Sequence, residues 1–383
     1  MKIGIDARCL LSGKKSGVEE YTYQIIKNVL KQDKKNQYIL FLNSGKKKPL
    51  NWKWIDDFSN VKIKFFRWPN RLLNFLFWYF RFPFIDKMLG GIDVFWAPNL
   101  NFWGLSKSVK FVLTLHDLSF EYYPETFHWK RRLWRFFINP RSSVCKADKI
   151  IVVSQSTKDD LVNFYKVPSQ KIKVIPSGID TKYKVLDRND FQLIKIKEKY
   201  QIPFNFIFFL GTIEPRKNIE SIIKAYELLR QEKNSELDKY KLVIAGNSGW
   251  KAKKIFKTIQ NSVYKRDIFF IGEVDEKDKI YLYNLASLFI FPSFLEGFGF
   301  PPLEAMSCGT PVITSFNTSF PETVGDAVIM VDPNKEQEIK EAMQMILLNK
   351  KLQKKLIQKG LQQVQKFNWE ISAREHKKVW TSI

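Results

Sequence analysis

Residues 291–309 read FPSFLEGFGFPPLEAMSCG. An apolar strand, Leu288 to Phe291, runs into a loop carrying Glu296, Gly297 and Gly299, and a helix follows. Pro301 or Pro302 suits the first turn of that helix, where the N–H that proline lacks has no helical partner anyway. Glu304 is expected inside the same first turn. Two carboxylates thus flank a glycine-rich loop whose amides converge with the positive end of a helix. Such an arrangement can hold hydroxyl-rich and anionic groups together. Taken singly, the features are ordinary: a first-turn Glu is a dipole partner, and glycines after a strand turn the chain.

The whole string is more specific. Glu296 is followed by G-F-G-F-P-P-L, then Glu304, then A-M-S-C-G-T-P-V-I. It resembles the donor-binding signature of retaining glycosyltransferases of family 4, the group 1 glycosyltransferases. The resemblance implies an α/β protein of the GT-B fold, with two Rossmann-like, doubly wound parallel-sheet domains facing an interdomain cleft. Residues 1–183 are then the acceptor domain and residues 184–367 the nucleotide-sugar donor domain. The amphipathic end, residues 368–383, is expected to pack back on the first domain.

Length and composition agree with two domains: 383 residues with 45% hydrophobic content are enough for two sizeable cores. The formal net charge is +24, and about +16 of it lies in residues 1–180 (31 basic, 15 acidic). That excess suits anionic lipid headgroups, an anionic acceptor or nucleic acid, or reflects a lysine-rich proteome. Cys9, Cys145 and Cys308 are scattered and lack metal-ligand spacing, so neither a disulfide framework nor a zinc site is expected. The start, MKIGIDARCLL, reads as a strand without the apolar core of a signal peptide, and no run reaches the length of a membrane span. A cytoplasmic protein working at the inner face of the plasma membrane is expected.

Along the chain, Lys2 to Ala7 reads as a buried strand, and a loop with Gly13, Ser16 and Gly17 precedes a helix from Val18 to Lys31. The loop is either turn chemistry or a phosphate cradle. It is not G-x-G-x-x-G, which argues against a nicotinamide enzyme. Further strands are expected at Tyr38 to Asn43, Val61 to Phe66, Asp93 to Ala97, Lys110 to Leu115, Lys149 to Val153 and Ile172 to Ile175. Lys46, Lys47 and Lys48 make a basic loop. Two segments, 65–88 and 128–138, combine aromatics with Arg and Lys; each suits either a core-facing helix or contact with an anionic membrane. His116 closes a strand at its carboxyl end, where open α/β sheets place ligands; Asp117 orients it or turns the chain. Ser154 reads as a helix cap.

In the second half, strand Phe204 to Leu210 leads into Gly211 and the string GTIEPRKN, with Asn218 as cap of the helix from Ile219. Arg216 and Lys217 then sit at a helix N-terminus, the wrong end for cations unless an anion shares the site. A diphosphate would accept from Arg, Lys and helix amides together. Glu214 belongs to the same loop.

The resemblance implies roles. SGVEEYT stands where the family faces donor phosphates, and His116 in H-D-L where it meets the donor sugar. Gly178 in P-S-G-I-D marks the domain junction. Gly272-Glu273-Val274 lies against the nucleotide base, and Arg216 and Lys217 hold the diphosphate. Glu296, with Gly297, Phe298 and Gly299, grips the donor sugar. The helix amide near Leu303 faces the phosphate, and Glu304 takes the ribose. Catalysis is assigned to His116, Glu296, Arg216 and Lys217. No cofactor and no metal are expected, since cations and a helix end take the metal's place and no D-x-D motif is found. The expected reaction is a retaining hexosyl transfer, first from GDP-mannose and otherwise from a UDP- or dTDP-sugar. The acceptor is a glycan or polyprenyl-linked oligosaccharide of bacterial surface polysaccharide synthesis. A sugar-nucleotide epimerase on the same architecture is a remote alternative. A nucleic-acid-binding protein is another, but paired carboxylates in a glycine loop repel phosphate backbones, so no nucleic-acid partner is expected.

Overall fold

The computed structural model describes residues 1–11, 16–46, 52–123 and 135–383. Gly13, Lys47, Lys48 and residues 128–134 of the second aromatic-basic segment lie outside the described residues. The chain divides into two compact units, the first running to Gly178 and including Asn368–Ile383, the second centred on Ile179–Phe367. The division falls before residues 179–183 because these bond to the second unit. Ile179 donates its N–H to the Phe367 carbonyl, Lys182 pairs with Glu276, and Tyr183 packs edge-on against Tyr283.

The first unit is a seven-stranded sheet in the order β3-β2-β1-β4-β5-β6-β7. Its strands are β1 Lys2–Asp6, β2 Gln37–Asn43, β3 Val61–Phe66, β4 Val94–Ala97, β5 Lys110–Leu115, β6 Lys149–Val152 and β7 Ile172–Val174. The second unit is a six-stranded sheet in the order β10-β9-β8-β11-β12-β13. It comprises β8 Phe206–Leu210, β9 Lys241–Ala245, β10 Ile268–Gly272, β11 Leu288–Phe291, β12 Val312–Ser315 and β13 Ile329–Val331. Every strand pairing in both is parallel. Parallel strands bury both faces, so they read as unbroken apolar runs. FIFFL of β8 and VFWA of β4 are buried at every position. In each sheet the winding reverses once, between β1 and β4 and between β8 and β11. The carboxyl ends of strands flanking such a reversal are where open α/β sheets bind ligands.

Helix α1, Gly17–Gln32, starts on a capping box: the Ser16 hydroxyl accepts from the Glu19 amide, and Glu19 accepts from the Ser16 amide. Tyr21, Ile25 and Val29 turn one stripe of it to the core. Helix α2, Asn70–Tyr79, buries Leu73 and Phe77 in the core cluster that also holds Phe41, Phe95 and Leu113. Helix α3, Gln155–Tyr165, is capped by Ser154, whose hydroxyl accepts from the Thr157 amide. The second unit uses α4, Ile219–Gln231, and α5, Phe300–Ser307, beside its sheet.

The last helix, α6, Trp369–Thr381, buries Trp369, His376 and Trp380 in the first unit. Trp380 lies 4.9 Å from the Trp96 ring of β4. Gly178 explains how it fits: a Cβ there would sit 2.2 Å from the Trp369 backbone nitrogen, so only glycine lets the chain and the helix start touch. His376 donates from Nδ1 to the Ser372 carbonyl at 2.7 Å, which leaves Nε2 to accept the Tyr21 hydroxyl at 2.6 Å. Helices from the two ends of the chain are thereby bonded through a buried pair.

Three local expectations are corrected: the strand expected from Phe204 starts at Phe206, and two helix starts differ. Helix α5 begins at Phe300, so Glu304 is its fifth residue and no acidic residue lies in its first turn. Gly299 precedes it at φ +94, where a Cβ would also press 2.7 Å from the Phe320 ring. Asn218 stands at the start of α4 without a side-chain cap bond. Its amide instead donates to the carbonyls of Pro292 and Pro333, and it adopts the left-handed conformation that Asn tolerates.

Burial pushes the His376 imidazole down to about 4, with His116 nearby acting the same way and the Ser372 carbonyl and Glu375 opposing. The unfolded chain, with His near 6.5, therefore binds more protons than the folded one between these values. Folding stability from this group is complete above pH 6.5 and is lost as pH falls toward 4, by about 3 kcal/mol in all. Urea unfolding from pH 7.5 to 4 should show His376→Asn with a shallower acid loss than the unaltered protein. Equal slopes would mean that His376 titrates alike in both states.

Candidate active site

In the second unit the loops after β8 and β11, the two strands at the reversal, are locked together by ions. Lys217 Nζ lies 2.5 Å from Glu296 Oε1, and Arg216 Nη1 lies 3.2 Å from the same oxygen. The Ser293 hydroxyl donates to it at 2.7 Å. Arg216 also pairs with Glu214 at 2.9 Å and donates to the Leu295 carbonyl at 2.6 Å. All three contacts of the Glu296 carboxylate fall on Oε1, while Oε2 engages none of these groups. Burial raises the Glu296 carboxyl, but Arg216 and Lys217 outweigh it and hold the group below the ordinary carboxylate range. Burial, helped by Arg216, lowers the Lys217 ammonium from its usual value despite Glu296 and Glu214.

Arg216 and Lys217 occupy a single tight turn, Pro215–Lys217, immediately before α4. They are the two cations expected at this helix start, and each has a carboxylate partner. Three residues that sequence reasoning passed over hold Glu296 from behind: besides Ser293, the Thr318 hydroxyl accepts from the Glu296 amide at 3.1 Å, and the Ser319 hydroxyl donates to its carbonyl at 2.9 Å. Thr318 sits at φ +55. A β-branched residue there is strained, and such strain persists where surrounding bonds fix it, commonly at binding sites.

Glu304 is set apart from this cluster. It accepts from the Tyr283 hydroxyl at 2.8 Å. Burial raises its carboxyl, with Lys279 and Tyr283 only partly opposing. Two largely buried carboxylates on one glycine-rich segment are thus driven in opposite directions, one held ionised and one biased toward its proton. Gly297 and Phe298 are buried, Phe298 packing edge-on against Phe300 and Phe367. Leu303 is fully buried. Pro301 and Pro302 bring no N–H, so the start of α5 lacks two of the amides a helix ordinarily presents. Gly211 lies under Gly246, where a Cβ would fall 1.9 Å from the Gly211 carbonyl oxygen. Val274 is buried just past the end of β10.

In the first unit His116 follows β5. Its Nε2 donates to the Pro98 carbonyl at 2.9 Å, leaving Nδ1 as an acceptor. Tyr21 meets its ring edge-on at 4.7 Å, and Thr157 at the start of α3 donates to its carbonyl. Burial lowers the imidazole from its ordinary value, so it is neutral at pH 7. Asp117 does not reach the ring through its carboxylate in these bonds; it accepts from the amide and hydroxyl of Ser119 and turns the chain. The Ser16 hydroxyl is occupied by its capping box, and Gly17 is the first residue of α1. A further cluster went unread in the sequence: Arg8 is bidentate on Asp6, whose Oδ2 also accepts from Trp103. It binds the end of β1 to the loop after β4, at the reversal of the first sheet.

Comparison with known proteins agrees in both halves. Residues 192–363 match the family model described as glycosyl transferases group 1, and residues 15–183 that described as glycosyltransferase family 4. The chain is 32% identical over 271 residues to O-antigen chain mannosyltransferase B of Escherichia coli, covering 70% of each. It is 33% identical over 266 residues to the serotype-specific mannosyltransferase WbdA of Escherichia coli, covering 69% of this chain but 32% of that longer protein. Among solved structures, sucrose-phosphate synthase of Thermosynechococcus elongatus superimposes with a TM-score of 0.75 at 18% identity, covering 100% of this chain and 98% of that one. Anabaena HepE in complex with UDP and glucose gives 0.74 at 17% identity, covering 100% and 99%. At such identities the likeness is one of fold.

The ion cluster makes a thermodynamic prediction. Lys217→Met leaves Glu296 buried with one partner fewer and should cost about 3–5 kcal/mol. With Glu296→Gln added, the double variant should recover about 1–3 kcal/mol relative to the sum of the single losses. Urea unfolding of the four proteins measures this. Strict additivity would show that the pair does not hold the two loops together.

Proposed function

The chain belongs to the group 1 glycosyl transferases, its first half to glycosyltransferase family 4, and on that premise we propose that it moves a mannosyl unit from GDP-mannose to a hydroxyl of a glycan or polyprenyl-linked oligosaccharide. The pathway is bacterial surface polysaccharide synthesis, and the acceptor is met at the inner face of the plasma membrane. The O-antigen mannosyltransferases among its relatives support the choice of sugar and pathway. Among the described residues no helix is long and apolar enough to cross a membrane.

The observation that carries this reading is the Arg216–Lys217–Glu296 cluster at the carboxyl ends of β8 and β11. In the reaction the bond from the anomeric carbon to the diphosphate breaks and a bond to the acceptor oxygen forms. Negative charge grows on the leaving phosphate. Arg216 and Lys217, already oriented by Glu214 and Glu296, donate to it without rearranging. Two cations fixed in this way make a divalent metal unnecessary. Glu296, ionised and with Oε2 uncommitted to the cluster, accepts from hydroxyls of the donor sugar and fixes the anomeric carbon. Glu304 binds the ribose hydroxyls. In the first unit the neutral His116 has Nδ1 as an acceptor for a hydroxyl. The acceptor proton passes to the departing phosphate on the same face, so configuration is retained.

GDP-mannose should raise the melting temperature of the protein, unchanged by EDTA, more than UDP-glucose, UDP-GlcNAc or dTDP-rhamnose does. Glu296→Gln should lower transfer about a hundredfold or more at saturating donor. Near-normal transfer by that variant would sink the assignment. A single hit with a UDP- or dTDP-sugar would move the donor but keep the mechanism, and dependence on a divalent ion would overturn the role of the two cations.

A further inference from the structure

Helix α2 is apolar on two opposite sides. Leu73 and Phe77 face the core, and this side is accounted for by the fold. Leu72, Phe75 and Tyr79 form a second stripe, with Phe75 exposed to 48% and Tyr79 to 65%. Phe80 and Phe82 continue it past the helix end, both more than half exposed. The rings pack on one another: Phe75 stacks on Tyr79 at 5.9 Å, and Tyr79 meets Phe80 edge-on at 4.8 Å. Trp78 joins Phe137 at 4.9 Å, so the second aromatic-basic segment contributes to the same surface. A second apolar stripe on the side of a helix away from its core calls for lipid or a partner rather than water. A contiguous exposed apolar patch marks an interaction surface.

The charge around it is of one sign. Arg67, Arg71, Arg81 and Lys87 are all exposed, residues 58–85 contain no Asp or Glu, and the acid that follows, Asp86, is buried and accepts from the amide and hydroxyl of Ser106. Burial lowers the Lys146 ammonium from its usual value, and Arg81 is close enough to add to this. Aromatic rings flanked by arginines that make no ion pair among the described residues match the boundary of an anionic bilayer, where rings enter the acyl region and cations meet phosphate. A second copy of the chain fits poorly. In a two-fold contact the same patch would face itself and set these arginines against one another. Single-stranded nucleic acid also fits less well, because it needs free ring faces on which bases stack, whereas these rings are packed on each other.

We infer that the outer face of α2, continued through Phe80 and Phe82 and joined by Phe137, is a docking surface for an anionic phospholipid bilayer. It depends on the proposed function only for its purpose, which is to hold the enzyme where a lipid-linked acceptor lies. The binding itself needs no activity.

The full chain should sediment with vesicles of phosphatidylcholine containing phosphatidylglycerol and stay in solution with phosphatidylcholine alone. Arg71→Gln and Arg81→Gln should each weaken partition about fivefold. Phe75→Ser with Tyr79→Ser should abolish it, and high salt should weaken it. Every variant should keep the melting-temperature rise with the sugar nucleotide found for the unaltered protein, which reports on the second unit and shows that the chain is folded. Unaltered protein that fails to sediment, or serine variants that sediment equally well, would overturn the surface. So would a dimer that dissociates in these variants, or RNA binding that they alone lose. A failed sugar-nucleotide screen with vesicle binding intact would instead count against the proposed function alone.

Discussion

The Glu296 carboxylate lies in a setting that disfavours any charge, and the site depends on how that penalty is met. Burial alone would push it toward its proton. Lys217 and Arg216 reverse the balance, and one oxygen serves both cations and Ser293. The same three groups close the gap between the loops after β8 and β11. The electrostatic requirement of one side chain and the joining of two loops are therefore one interaction. A buried charge with fixed partners is weak evidence for stability but strong evidence for geometry, because removing any partner leaves the others desolvated. Thr318 shows the same priority: its hydroxyl meets the Glu296 amide from a backbone conformation that a β-branched residue adopts only under constraint.

The first unit reaches order by a different route. Its reversal point is bound by Arg8 on Asp6, and its His116 is oriented by a carbonyl and a tyrosine edge. Tyr21 is the shared element. Its ring meets His116, and its hydroxyl donates to His376 of the last helix. The two ends of the chain thus converge behind the same histidine. Gly178 admits the start of that helix where no side chain would fit. Because His376 donates to a carbonyl, its tautomer is set, and the Tyr21 hydroxyl has only one direction in which to point.

Much of the fold was legible because parallel strands leave an unambiguous trace. Lys110–Leu115 and Leu288–Phe291 stand where their apolar runs predict. Phe204 was read as strand on residue type alone, yet it is 85% exposed and the strand starts at Phe206. Apolarity marks a strand interior better than its edge. The charged members of the cluster could be named because Arg and Lys before a helix are electrostatically out of place, which asks for a partner. What could not be read was how they are held. Ser293, Thr318 and Ser319 are ordinary loop residues until contacts more than twenty positions away in the chain bring two of them to Glu296. Asn218 misled for the same reason. Its local chemistry suits a helix cap, but two carbonyls far along the chain compete for its amide and win. Ser16, which the resemblance places at the donor phosphates, also precedes Glu19 at the spacing of a capping box, and the structure forms that box.

The aromatic surface of α2 bears on why this chain carries so much positive charge. A lysine-rich composition spreads cations evenly, and in the second unit most neighbouring acids answer them: Glu214, Glu232, Asp267, Glu276, Glu296 and Asp326 all pair. Residues 58–85 break that pattern, with arginine and lysine but no acid. Arginine is the less hydrated cation and binds phosphate with two parallel hydrogen bonds, so it suits a headgroup better than a water-facing lysine does. The local absence of acid costs little in a helix whose other side is anchored by Leu73 and Phe77. A composition bias alone does not explain why the uncompensated part of the charge gathers around exposed aromatic rings.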